Sequence, residues 1–465
     1  MCVQHLACCF FAGSLCNIAV PTTFSDEEDF LIAPINKSDS VRAQRRSRWG
    51  AGLLISASVA MGLAIALVLA LVPIAIANMG PAWFAQTITQ DPLKVCDAST
   101  EEDQPLPKET QVTPMPDGEK GAAIPYLGDS SYLRGVNMYD LEALRRIDTT
   151  CALNQPEASY TYLASRGVTI VRLAVPWERL QPVPDSGDYQ EGMNAGLDKA
   201  YLEVVQTEVD RIAAAGMRVI LDLHNGGTYP SGPGVRVPDT VAFGDGISVK
   251  QAQHIWGMLS QVFKNQTAIA AYDIFNEPSL SMMTADVYKK YTVAVVKAIR
   301  ANGDQHTLWV EGMKEMTEGR LVQIAPKGPW ISDPLDKIVY SQHFYPGGTG
   351  STNAAFRADS DYVSFTQQMK DFGGWCQKYD VHCSVGEVGW PSMESQKLTS
   401  DNGDNWSTVG EGFYKLADTY KMDVTYFAST GGTKPGWLNA YTSSDGTAID
   451  TARSQSSVIE RHLTK

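Results

Sequence analysis

The chain has 465 residues, 44% of them hydrophobic and 19% charged, with a formal net charge of -14. That excess of acid excludes a surface built to grip nucleic acid phosphates or anionic lipid, both of which are held through clustered Lys and Arg. With 19 Tyr and 10 Trp the composition also excludes a disordered chain, and it fits a neutral substrate.

Residues 1–49 combine a Cys-rich apolar start with an acidic patch at Asp26, Glu27, Glu28 and Asp29, and show neither a helical nor a strand period. No function is assigned to them. Residues 50–77 form an uncharged apolar run, longer than the roughly 20 residues a helix needs to cross a bilayer. Arg42, Arg45, Arg46 and Arg48 stand immediately before it, and the positive-inside bias keeps the head cytoplasmic and sends the remainder outward. The run reads as a single-pass transmembrane anchor in the cell membrane, with a secreted product if the chain is cut after Ala77. Residues 78–125 carry Pro92, Pro105, Pro107, Pro114 and Pro116 among polar and acidic residues, the composition of a flexible linker.

Four cysteines precede the apolar run, and Cys96, Cys151, Cys376 and Cys383 follow it. Outside the cell the second set can form two disulfides, Cys376 with Cys383 being the first pair expected, and buried free thiols are the alternative. No cysteine spacing has the pattern of a zinc site, and no metal or cofactor is expected.

From residue 126 to 465 short β-branched runs alternate with helical periods, the pattern of a parallel sheet with crossover helices. Eight runs are predicted as strands: 133–138, 169–175, 218–224, 270–275, 307–310, 337–343, 382–386 and 424–427. Between them, helices are predicted over 197–215, 250–264, 285–301 and 410–420, where apolar residues recur at three and four. Eight such repeats close a (β/α)8 TIM barrel. An open doubly wound sheet is the runner-up, but no Gly-rich phosphate turn follows an early strand.

A barrel of this kind works at the C-terminal ends of its strands, and those ends are polar here. They include Arg172, Asp222-Leu223-His224-Asn225, Asn276-Glu277-Pro278, His343-Phe344-Tyr345 and Gly386-Glu387-Val388-Gly389-Trp390. Two carboxylates, Glu277 and Glu387, thus come from the fourth and seventh strands. Cleaving a glycosidic bond with retention needs one carboxylic acid to protonate the leaving oxygen and one carboxylate to attack the anomeric carbon. Glu387 is expected to be held ionised by Arg172, His343 and Tyr345, and Glu277 to stay protonated through partial burial with less such support. Glu311, at the end of the fifth strand, is a third carboxylate on this face, either a sugar contact or structural. The Gly- and Pro-rich stretch 225–246 is expected to wall the cleft.

These motifs, with Val171-Arg172-Leu173, Trp177-Glu178-Arg179-Leu180-Gln181-Pro182 and Tyr272-Asp273-Ile274-Phe275-Asn276-Glu277-Pro278, resemble glycoside hydrolase family 5, the family of many cellulases. The resemblance runs in order through nearly the whole barrel. It implies that Glu277 is the acid/base, Glu387 the nucleophile, Asn276 a donor to the sugar 2-hydroxyl and Tyr345 a partner of the nucleophile. Arg172, His224 and His343, with Asn225 beside them, are the implied supporting shell. Members commonly place a Trp near the end of the eighth strand as a sugar floor, but Val424-Thr425-Tyr426-Phe427-Ala428-Ser429 offers Tyr426 or Phe427 instead, with Trp437 as a substitute. Trp177, Trp390 and Trp256 are further ring candidates for stacking on a sugar.

The expectation is therefore a monomeric, cofactor-free glycosidase acting on a neutral β-glycan, foremost as an endo-β-1,4-glucanase. β-1,3-Glucan, mannan and glycolipid are alternative substrates. A wall-glycan binding module without catalysis is the second class. A metal-dependent lyase is the third, which these strand ends do not furnish.

Overall fold

The computed structural model describes residues 120–143, 154–233, 239–314, 320–345, 363–396, 400–431 and 436–463. The expected cytoplasmic head, the apolar run 50–77, all but the end of the expected linker, Cys96 and Cys151 lie outside the described residues. Among the described residues no helix is long and apolar enough to cross a membrane.

Eight parallel strands form the centre: β1 (Arg134–Met138), β2 (Ile170–Val175), β3 (Arg218–Leu223), β4 (Ile269–Asp273), β5 (Thr307–Glu311), β6 (Ile338–Ser341), β7 (Cys383–Val388) and β8 (Asp423–Ser429). Each pairs with the next, and β8 pairs back onto β1 with Val424 opposite Arg134, so the sheet is closed. The strands coincide with the eight predicted runs, with small shifts at their ends. The main helix after each strand is α1 (Glu157–Ser165), α2 (Lys199–Ala214), α3 (Val249–Phe263), α4 (Ala285–Ala301), α5 (Leu321–Ile324), α6 (Val363–Tyr379), α7 (Ser400–Thr419) and α8 (Ser456–Arg461).

Local chemistry starts these helices where they start. Asp198 caps α2 by accepting from the N–H of Tyr201, and Thr284 caps α4 through Val287. Ser248 and Gln251 close a reciprocal capping box on α3, whose Ala252, Ile255, Trp256, Leu259 and Phe263 then face the core at three- and four-residue spacing. α7 begins ten residues before its predicted start, because its first turns are polar and carry no apolar period.

The inside of the barrel changes character along its axis. At the N-terminal end Ile170, Ile220, Ala271, Trp309 and Val339 make an apolar plug, with Tyr126 and Leu127 packed against it. Two residues further along each strand, on the same face, stand Arg172, Asp222, Asp273, Glu311 and Ser341. The strand period thus stacks a charged layer on an apolar one.

The residues leading into β1 belong to the barrel. Gly121 donates to Gly303 O at 2.9 Å, Ala122 donates to Asn265 Oδ1 at 2.9 Å, and Trp309 Nε1 donates to Tyr126 Oη at 2.8 Å. The folded part therefore starts before residue 126. The Pro-rich composition of the preceding stretch hid these contacts because they are made mostly by backbone groups.

The expected disulfide joins Cys376 near the end of α6 to Cys383 at the start of β7. The stretch 225–246 is ordered into a small three-stranded sheet, Thr228–Pro230, Thr240–Phe243 and Gly246–Ile247, apart from residues 234–238, which lie outside the described residues. Its opening turn needs the glycines at 226 and 227, with φ of 66° and 69°, and brings Gly226 against the carbonyls of Asn276 and Glu277.

Candidate active site

Arg172, on β2, is fully buried and is the hub of the charged layer. Its Nη1 donates to Glu387 Oε1 at 3.0 Å and to Asn137 Oδ1 at 2.9 Å. Its Nη2 donates to Glu311 Oε1 at 2.9 Å and Asn276 Oδ1 at 2.8 Å, and lies 3.1 Å from Asp222 Oδ2. Its Nε donates to Asp273 Oδ2 at 2.9 Å. A guanidinium has five N–H groups in one plane, so one side chain can tie together residues from β1, β3, β4, β5 and β7.

Glu387 sits on β7, with Oε1 held by Arg172 and Oε2 accepting from Tyr345 Oη at 2.5 Å. Gly386 before it leaves room for the ring of His343, since a Cβ there would come within 2.8 Å of Nε2. Asn137 and Thr425 bind the carbonyl of Gly386, at 2.9 and 2.6 Å, and so fix the strand that carries Glu387.

Glu277 follows β4 and has φ of 44°, the left-handed region. Its N–H donates to Glu311 Oε2 at 2.7 Å. Its carboxylate accepts from His343 Nδ1 at 3.0 Å and from Lys314 Nζ at 2.8 Å. A carboxylate oxygen of Glu277, one of Glu387 and a ring nitrogen of His343 all lie within 4.8 Å of one another. The cleft beside Glu277 is lined by Lys314, Arg320, Gln342, His343, Tyr345 and Gln368, and holds about 640 Å³ including its open mouth.

The proton affinities run opposite to the sequence expectation. Burial raises the Glu387 carboxyl, and although His343 and Arg172 pull it down, Glu277 repels it and the net displacement is upward. Burial opposes ionisation of Glu277 too, but the hydrogen bond and charge of His343, with Lys314, hold it well below the ordinary carboxylate range. Burial also works against the charge on His343, yet Glu311, Glu387 and Glu277 raise its pKa well above the usual value. The reversal comes from two contacts that strand order did not reveal. His343 donates to Glu277 and stands 3.5 Å from Glu387, and Lys314 reaches the acid/base candidate from beyond β5. Because the three carboxylates around His343 raise its proton affinity and both Glu277 and Glu387 already face cationic groups, this donor set suits protons better than a metal ion.

His224 Nδ1 lies 2.7 Å from Asp222 Oδ2, and its Nε2 is 3.3 Å from Asn276 Nδ2. Burial disfavours its charge, but Asp222 raises its pKa overall. Phe427 is half-buried and stacks on Tyr139, ring centroids 5.2 Å apart, and it meets the edge of Tyr345 at 6.4 Å. Trp437 is half-buried on the segment beside the end of β8, where Ala428 donates to Leu438 O.

Three expectations move away from the site. Trp177 is fully buried, packs against Tyr229 at 5.3 Å and donates to Gln181 Oε1, because the chain turns inward after Pro176. Trp390 is buried behind the strands against Tyr426 and Tyr414, and Trp256 on α3 donates to Ile274 O in the core. None of these three rings is open to a sugar. The Asn225 side chain is occupied by its own turn, donating to Thr228 O and accepting from Gly227 N.

Sequence reasoning missed Asn137, Lys314 and Tyr139 as members of the site, and quoted Asp222 and Asp273 in its motifs without giving them a role. Asn137, Asp222 and Asp273 were legible as polar residues on the inward face of predicted strands. Tyr139 follows β1 by one residue, and Lys314 had no local signal.

The chain matches the family model for cellulase (glycosyl hydrolase family 5) over residues 136–432. It is 30% identical over 195 residues to endo-beta-1,4-glucanase A of Emericella nidulans, covering 42% of this chain and 53% of that protein. It is 28% identical over 189 residues to endo-beta-1,4-glucanase B of Aspergillus niger, covering 41% and 50%. The chain thus spans about half the length of these two relatives. Among solved structures, endoglucanase Cel5A of Pseudomonas stutzeri superposes with a TM-score of 0.59 at 22% identity over 74% of this chain and 97% of that one. XacCel5A in complex with cellopentaose gives 0.57 at 19%, over 71% and 99%. At these identities the structural likeness speaks for the fold. With the family model covering most of the barrel, this chain belongs to glycosyl hydrolase family 5.

Proposed function

We propose that the protein is a retaining glycoside hydrolase acting on β-linked glucan, most closely in the manner of an endo-β-1,4-glucanase. The observation that carries the reading is the pair of carboxylates, one following β4 and one on β7, with an oxygen of each within 4.8 Å of the other and of a His343 ring nitrogen. Retention needs carboxyl groups about 5 to 5.5 Å apart, whereas inversion needs space for a water between them. The names of the relatives and the cellopentaose complex of a structural neighbour support a β-glucan substrate.

Glu387 attacks the anomeric carbon while Glu277 delivers a proton to the leaving oxygen, giving a glycosyl-enzyme intermediate. Water, deprotonated by Glu277, then releases the sugar from Glu387. In the free site Glu277, beside Lys314 and His343, is held well below the ordinary carboxylate range, and His343, facing three carboxylates, well above the ordinary imidazole range, which favours the imidazole as holder of the proton. When a glycan takes the place of Lys314 on Glu277, the carboxylate loses a cation that kept it ionised, and the proton can pass from Nδ1 to the acid/base. Tyr345 and Arg172 hold one oxygen each of Glu387 and so aim the attack. Asn276, whose Oδ1 is held by Arg172, is the donor for the 2-hydroxyl through Nδ2. Phe427, backed by Tyr139, is the floor for the sugar before the cleavage point.

The disulfide between Cys376 and Cys383 and the Arg-flanked apolar run support a barrel outside the cell, anchored by residues 50–77. The test incubates the protein with soluble β-1,4-glucan, β-1,3-glucan and mannan, follows reducing ends, and reads the anomer of the first product by NMR. β-Anomer from the β-1,4-glucan is the expected result. An α-anomer, or no new reducing ends on any substrate, would refute the proposal.

A further inference from the structure

We infer that Glu311 is a positioning residue of this site, whose buried carboxylate fixes the backbone of Glu277 and the charge of His343 and thereby governs proton delivery to the leaving group. The inference rests on the glycosidase reading above. Glu311 ends β5 and is 1% exposed, which removes it as a sugar contact. Its oxygens divide the work. Oε2 accepts the N–H of Glu277 at 2.7 Å, while Oε1 faces Arg172 Nη2 at 2.9 Å and His343 Nε2 at 2.8 Å. The carbonyl of Glu311 accepts from Tyr288 Oη of α4 at 2.8 Å, which pins the end of the strand.

Each contact bears on the proton. A non-glycine residue at φ of 44° is disfavoured by its Cβ, and the following Pro278 further restricts Glu277. The charge-assisted bond to the Glu277 N–H compensates for that strain, so the carboxylate of Glu311 is what keeps the acid/base aimed into the cleft. On its other side, Glu311 holds the imidazole of His343 from the nitrogen opposite to the one that serves Glu277.

The charged and titratable groups around Glu311 are Arg172 from β2, Asp222 from β3, Asp273 from β4, Glu277, His343 after β6, Glu387 from β7 and Tyr288 from α4. Burial and the charge of Glu311 raise Asp273 well above the ordinary range, so Asp273 tends to keep its proton. Burial opposes the ionisation of Glu311, but His343, Arg172 and the N–H of Glu277 lower its pKa overall. Glu311 is thus the carboxylate that balances His343 from within.

The test compares full-length wild type, Glu311→Gln and Glu311→Asp on the β-glycan that the wild type cleaves and on the matching 2,4-dinitrophenyl glycoside. The dinitrophenolate leaves without a proton. Glu311→Gln is expected to lose about 100-fold or more in kcat/KM on the glycan, the scale of general acid catalysis, and less than about 10-fold on the activated glycoside. Its alkaline limb of kcat/KM is expected to fall by about one pH unit, because a negative charge beside the shared proton is gone. Equal losses on both substrates, or an unmoved limb, would overturn the inference. Should Glu311→Gln show no cooperative melting, Glu311→Asp decides. It keeps the charge and withdraws the oxygens, so the same substrate split is expected with the limb in place, and equal losses would again overturn it. A wild type that cleaves nothing overturns the glycosidase reading, and this inference with it.

Discussion

Replacing Lys314 with Met is expected to shift the alkaline limb of kcat/KM upward by about 0.7 pH unit. The ammonium lies 2.8 Å from Glu277 Oε2, but the lysine side chain is 63% exposed and the glutamate 22%. Two unit charges at that distance attract by about 1.5 kcal/mol in bulk water, and exposed pairs deliver roughly 0.2 to 1 kcal/mol after entropy and screening. Taking about 1 kcal/mol, and 1.36 kcal/mol per unit, gives the shift stated. The sign follows from charge: without the ammonium, the group formed by Glu277, His343 and Glu387 releases its proton less readily, so the competent form persists to higher pH. Met keeps the apolar stem and removes only the charge. The assay is initial rate against pH with substrate far below KM. An unmoved limb, or one displaced downward, would refute the assignment of Lys314 to the acid/base. The same pairing stabilises the fold above the unfolded glutamate pKa of about 4.3 and is lost as pH falls through the lowered native value, so the variant's melting temperature should vary less on the acid side.

Glu277→Gln is expected to lower kcat by about 10² to 10⁴ on glycan, and Glu387→Gln by at least as much, with melting temperatures close to wild type. Steady-state rates beside thermal unfolding curves check this pair. Arg172→Met removes the cation that Asp222, Asp273, Glu311 and Glu387 share, and should cost about 3 to 5 kcal/mol in denaturant unfolding because the carboxyl groups are left buried without it. Phe427→Ala should raise KM on oligosaccharides by roughly 10-fold, the size of a lost stacking contact, whereas Trp390→Ala should mainly destabilise, by about 3 to 5 kcal/mol.

The barrel was legible because its strands are short, β-branched and regularly spaced, and the eight runs could be placed within a couple of residues. The two carboxylates were legible because a strand end is a defined address in this fold. What the sequence concealed was direction. Trp177 and Trp390 stand at strand ends, yet one follows a proline that turns the chain inward and the other passes behind the sheet to meet Tyr426. Periodicity places a residue along a strand, but the first residues beyond it are set by turns whose geometry depends on distant partners. Proton affinity was hidden for a related reason. It depends on contacts such as Lys314 with Glu277, which join residues 37 apart where the segments after β4 and β5 run side by side.

The contrast in exposure between Lys314 and Arg172 makes the site answer to two different solvents. At 1 M salt the screening length falls to about 3 Å, so dissolved ions can replace an ammonium that stands open at the mouth. They have no access to a guanidinium sealed among five strands. Brine therefore acts on Glu277 much as deleting Lys314 does, shifting its proton affinity while the hold of Arg172 on Glu387 is untouched.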